Sequence, residues 1–195
     1  YTATGLVHGE TIAVLTGVAI RWTGAARPRA VREEDLSRRV GAVLVSSPAF
    51  LAEGEAVPVG RVAVPATVKL TLHHDVVAPA AGAARGSGRV AVVGVEAQVE
   101  WKAGGDRLEP RENVLFHRPV ERREEARLDS LVALLMGEAV EAAGRGLVAR
   151  ETLRQGDDAA VLAALDGEDP DMVLWALDLA AERRMAAAFD RAVAL

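Results

Sequence analysis

Four histidines, a scatter of carboxylates and no cysteine bound the chemistry open to this 195-residue chain. His73 and His74 are adjacent and are followed by Asp75. On an extended strand successive side chains point to opposite faces, so the two imidazoles cannot readily share one metal ion, whereas His73 and Asp75 lie on the same side. His117, from a neighbouring predicted strand, would supply a third group. His73, Asp75 and His117 are therefore the candidate metal ligands. The same three are also the candidate acid/base centre of a hydrolase. The competing reading packs His74 into the core and leaves His73 and Asp75 solvated at a strand end; spacing alone does not make three ligands converge. His8, within GLVHGE, reads as a surface histidine.

Other kinds of active centre find no support. Ser37, Ser46, Ser47, Ser87 and Ser130 stand in no G-x-S-x-G context. The glycine-rich stretch GAARGSG at 82–88 lacks the Lys-Ser/Thr ending of a phosphate loop and does not lead into a helix. Without cysteine there are no disulfides, thiol nucleophiles or thiolate metal sites. No catalytic or cofactor-binding residue is assigned from the sequence, and no cofactor is expected.

The elements that would position these residues fall into two groups. Thr11 to Thr23 alternates as a strand, with Ile12, Val14, Val18, Ile20 and Trp22 of one parity and Gly17 as a bulge. Glu33–Ser46 opens with three acids suited to a helix start, but VGAVLVSS is β-rich, so a short helix running into a strand is expected. Arg61–Val77 reads as a half-buried strand, with Pro65 marking an edge, a bulge or a start. A hairpin loop at 78–88 leads to the best strand, Arg89–Lys102, followed by the turn AGGD at 103–106 and a last strand over Leu108–His117.

Beyond Pro119 the period changes. Leu128, Leu131, Val132, Leu135, Ala139 and Val140 recur at helical spacing, and Gly144 and Gly146 are expected to break that helix. Asp157 and Asp169 read as N-caps, with Pro170 at the first helical position, and the last helix is expected over Asp171–Val193. The fold expectation is α+β. An antiparallel β-rich part, sandwich- or barrel-like (1–118), precedes a helical subdomain of three to four short helices packed on it (119–195).

Bulk properties narrow the function. Half of the residues are apolar and the net charge is -5, so a packed core is expected and a nucleic-acid partner is not. No apolar run reaches the roughly 20 residues that span a bilayer. A cytoplasmic location is the default expectation. The first residue, Tyr1, fits an accessory region of a larger bacterial protein. The leading functional expectation is a non-enzymatic protein-interaction or assembly module whose partner is another protein or another copy of itself. A metal- or acid/base-dependent hydrolase using His73, Asp75 and His117 is the alternative, and a self-assembling structural subunit is the second.

Overall fold

A computed structural model describes residues 11–24, 27–78, 88–102, 108–121 and 123–188. Its elements are β1 (Thr11–Gly24), α1 (Glu33–Val45), β2 (Phe50–Ala52), β3 (Val62–Val77), β4 (Val90–Trp101) and β5 (Arg111–Pro119). A single 3-10 turn then leads into α2 (Leu128–Gln155), α3 (Asp158–Leu165) and α4 (Pro170–Glu182). His8, the turn at 103–106, most of the hairpin loop at 78–88 and the end of the last predicted helix lie outside the described residues.

The α+β layout stands, strands first and helices after. The antiparallel expectation does not. The strands form one mixed sheet in the order β2-β1-β3-β4-β5. β1 runs parallel to both β2 and β3, while β3, β4 and β5 are antiparallel neighbours. A parallel pair cannot be joined by a tight turn. Residues 33–45 make that crossover as helix, which is why VGAVLVSS ends a helix instead of opening a strand. Leu36, Val40 and Leu44, spaced by four, are its buried row. Among the described residues β2 and β5 remain as sheet edges, so these strands form neither a sandwich nor a barrel.

Gly17 sits at a bulge, as its position predicts: the β1–β3 register slips between Leu15 and Gly17. The extra residue, Thr16, donates its hydroxyl to the Ala66 carbonyl at 3.0 Å. One inserted residue reverses the parity of everything after it. The shared-parity reading of Ile12 and Val14 with Val18, Ile20 and Trp22 is therefore corrected. Ala13 and Leu15 belong with Val18, Ile20 and Trp22 in the core set. Pro65 lies just before the β3–β4 ladder, which begins at Ala66–Trp101, so its missing N–H costs that ladder nothing.

The helical half is corrected in a similar way. α2 is one helix of 28 residues, about 42 Å long, in place of two short ones. It runs through Gly144 and Gly146, and tertiary contacts offset the roughly 1 kcal/mol that each glycine costs a helix. At Gly144 a Cβ would stand 3.1 Å from the Val43 side chain of α1, so glycine lets the two helices cross closely. α1 and α2 cover the same sheet face, and their buried side chains share one core with Val68, Leu70, Leu72, Val93, Val95 and Ala97. α3 and α4 form a smaller satellite cluster around Val161, Leu165, Trp175 and Leu179. Both N-caps are where the sequence put them. Asp157 accepts from the Ala160 N–H at 2.9 Å and Asp169 from the Asp171 N–H at 3.0 Å. The final helix is shorter than expected, because α4 ends at Glu182 and Arg184 turns to a positive φ of 55°.

Candidate functional site

Alternation along the three long inner strands sorts side chains between two unlike faces. Even positions of β3 and odd positions of β4 lie under α1 and α2. The opposite parity forms a second face, on which none of the described helices packs. Cross-strand register sets its rows: Thr23, His73, Gly94 and Leu115 in one, Arg21, Thr71, Glu96 and Asn113 in the next. Gly94 is the hinge of this surface. Without a side chain there, a shallow hollow of about 300 Å³ opens, lined by Thr23, Thr71, His73, Glu96, Asn113 and Leu115. A Cβ at Gly94 would touch both His73 and Leu115 at 3.8 Å and begin to fill it.

The walls are unlike one another. Hydroxyls, an amide and a carboxylate line one side, while Leu115, 62% exposed, forms an apolar lip beside β5. His73 is held from below: its Nδ1 lies 3.3 Å from the Thr23 carbonyl oxygen. Gly24 makes room for that ring. It adopts a φ of +82°, and any Cβ would come within 2.8 Å of the imidazole nitrogen. Lys69 and Glu100 pair across the same face at 2.6 Å, a solvent-exposed contact of little energetic weight.

The three sequence candidates do share this face, but they are not gathered. Asp75 pairs with Val92, and Val92 with His117, so a whole strand separates the carboxylate from the imidazole. Two strand spacings are roughly 10 Å, whereas the ligands of one zinc ion lie within about 2.3 Å of it. Asp75 instead accepts the Val76 N–H at 2.7 Å. Among the described residues, no group of three His, Asp or Glu side chains could hold a metal ion. His74 turns inward and meets Trp22 edge-on, with ring centroids 6.3 Å apart.

Sequence reasoning missed a buried polar cluster at the far end of α2. Glu151 is fully buried and takes two hydrogen bonds from Arg154, at 2.7 and 2.6 Å, and one from Gln155 at 2.9 Å. The Arg154 guanidinium also lies 4.8 Å from the Trp101 ring centre and reaches Thr11, while Gln155 holds the Ala49 carbonyl. One turn earlier Arg150 pairs with Glu112 of β5. The signal was present: Val140, Ala143 and Leu147 continue at the same spacing into Arg150, Glu151 and Arg154. A helix break assumed at Gly144 concealed it. This cluster ties β1, β4 and Ala49, just before β2, to α2. Glu151, Arg154 and Gln155 satisfy one another and reach Thr11 and Ala49, which is the pattern of a structural pin.

No family model matches this sequence, and no curated protein matches it. Solved structures do. A neuraminyllactose-binding hemagglutinin homolog from Helicobacter pylori superposes with a TM-score of 0.53 at 10% identity, over 77% of this chain and 88% of that one. A minor lipoprotein from Acinetobacter baumannii gives 0.45 at 8% identity over 74% and 91%. A hypothetical protein from Chlamydia trachomatis gives 0.44 at 12% identity over 72% and 95%. The Helicobacter likeness shows a shared fold and nothing finer. Among the described residues, no helix is long and apolar enough to cross a membrane.

Proposed function

We propose that this chain is a non-enzymatic protein-interaction module, an accessory region of a larger bacterial protein, working through the sheet face on which none of the described helices packs. One observation carries the reading: α1 and α2 are both stacked on one side, and none of the described helices covers the other, a broad surface of mixed polar and apolar character. Sheets whose second face is purely solvated carry polar residues throughout. Here a glycine-floored hollow with an apolar lip interrupts that pattern. Such a surface suits docking, where anchors enter shallow pockets and a polar rim fixes orientation. It suits bond-making poorly, because a shallow open hollow does not exclude water around developing charge. The β part (1–118) and the helical part (119–195) act in this proposal as one unit, since α2 completes the core beneath the binding face.

The test is photo-crosslinking in the source cell. A crosslinking amino acid at Asn113, in the hollow, is expected to give a discrete protein adduct that disappears on Leu115→Glu. The same group at Arg38, on the exposed side of α1, is expected to give none. No adduct from Asn113, or equal adducts from both positions, would overturn the proposal.

A further inference from the structure

Resting on the interaction reading above, we propose that the partner of β5 is a second copy of this chain, paired strand to strand about a twofold axis through Leu115. Among the described residues no strand pairs with the outer edge of β5. Which backbone groups face that edge follows from the bonds to β4. Val120 donates to the Arg89 carbonyl at 2.7 Å, and the Pro110 carbonyl accepts from Val99 at 3.0 Å. Even-numbered positions of β5 therefore spend their backbone groups inward. Arg111, Asn113, Leu115, His117 and Pro119 point theirs outward. Pro119, the residue with no N–H to offer, falls in the outward set, as an edge strand allows. Among the described residues the Asn113 N–H is met by the neighbouring Glu112 carboxylate alone, at 3.1 Å, a local bond that a partner strand can replace.

The segment is self-complementary in one antiparallel register. Centred on Leu115, the outward set meets the outward set. Leu115 exchanges both backbone bonds with the partner's Leu115, and Asn113 does so with the partner's His117. Arg111 donates to the carbonyl of the partner's Pro119. The side chains agree. On the open face the exposed Leu115 meets its own image. On the helix face half-buried Val114 meets the partner's Phe116, and Glu112 meets the partner's Arg118, so opposite charges face each other twice. Each already has a partner in its own chain, Arg150 and Glu124, and the pairing extends those contacts. A slip of two residues either way sets Leu115 against Asn113 or His117 and loses the charge match. The product is a continuous ten-stranded sheet. Its uncovered faces would form one surface, with the two Gly94 hollows flanking the axis. An edge contact of this length sits at the small end of specific interfaces, so dissociation in roughly the 1–100 µM range is expected.

Light scattering of the purified 195-residue chain over roughly 1–500 µM tests this, with the mass expected to rise from 20.5 kDa to twice that value. Leu115→Lys places like charges on the axis. Asn113→Pro removes an outward donor without touching the β4 ladder. Each is expected to weaken the dimer by at least about tenfold. Leu134→Lys and Leu174→Lys, at exposed apolar sites on α2 and α4, are expected to leave it unchanged. Because the chain has no cysteine, Leu115→Cys alone reports the axis, and mild oxidation is expected to give a covalent dimer. That readout stands even if another variant fails to fold. A monomer at every concentration overturns the proposal, as does a dimer insensitive to both β5 variants. If the chain is monomeric while the Asn113 crosslinker still captures another protein, self-pairing fails and the interaction reading survives. If it is both monomeric and uncrosslinked, both fail.

Discussion

Arg154→Ala is the substitution whose cost can best be worked from the structure. The guanidinium holds Glu151 through two charge-assisted bonds, at 2.7 and 2.6 Å, inside a site where Glu151 has no solvent exposure and Arg154 has 4%. Truncating the arginine leaves a buried carboxylate with only the Gln155 amide against it. Breaking one side of a buried ion pair costs about 3–5 kcal/mol. Loss of the guanidinium over Trp101 adds about 1–2 kcal/mol, since that stacking is desolvated. A total of about 4–7 kcal/mol is expected. For a chain of this length each kcal/mol moves the unfolding midpoint by about 2–4 °C, so Tm should fall by roughly 8–28 °C. The companion variant Glu151→Leu with Arg154→Met removes both charges and keeps the volume, and it should recover most of the loss. Urea titration and thermal melts of the two proteins decide the matter. A loss below about 1 kcal/mol for Arg154→Ala, or a double variant less stable than the single, would refute the view that this pin is a satisfied pair in a dry site.

Other expectations follow from neighbouring geometry. Gly144→Val should destabilise by about 1–3 kcal/mol, because its side chain drives into Val43 at the helix crossing, whereas Gly41→Ala, with nothing near its Cβ, should stabilise by about 0.5–1 kcal/mol; thermal melts of the pair separate contact from propensity. Asp157→Ala and Asp169→Ala should each cost about 1 kcal/mol through the lost caps, seen first as faster amide exchange in α3 or α4 respectively. Trp175→Phe keeps the ring in the satellite cluster but deletes its 3.0 Å bond to the Arg150 carbonyl, and about 1–2 kcal/mol should be lost in urea titration. Zinc or manganese should leave Tm unchanged in the parent and in His117→Ala alike; a metal-dependent rise in the parent that the variant abolishes would restore the His73, Asp75 and His117 reading.

Local signals were legible wherever a residue acts on its own neighbours. Asp157 and Asp169 cap because a carboxylate reaches backbone N–H groups two or three positions on, and Pro170 follows because a first-turn residue needs no donor. Val93, Val95, Ala97 and Val99 alternate because a strand puts every second side chain on the same face. The face shared by His73 and Asp75 follows from the same rule. None of these needs knowledge of what lies across the fold.

What the sequence could not decide was which distant elements meet. The parallel pairing of β1 with β3 depends on α1 serving as a crossover, a choice made by burial of Leu36, Val40 and Leu44 against β-rich local preference. The slip at Gly17 reassigns the face of every earlier β1 residue, and only the register of β3 reveals it. α2 stays whole through Gly144 because α1 crosses there, and so Arg150, Glu151 and Arg154 are carried inside on what is otherwise an apolar stripe. The hollow at Gly94 exists because three strands bring His73, Leu115 and an absent side chain into one row. Short-range rules are set by bonded geometry and survive in any context. Pairing, register and cover are set by non-local burial, whose energy is defined only once the whole chain has closed.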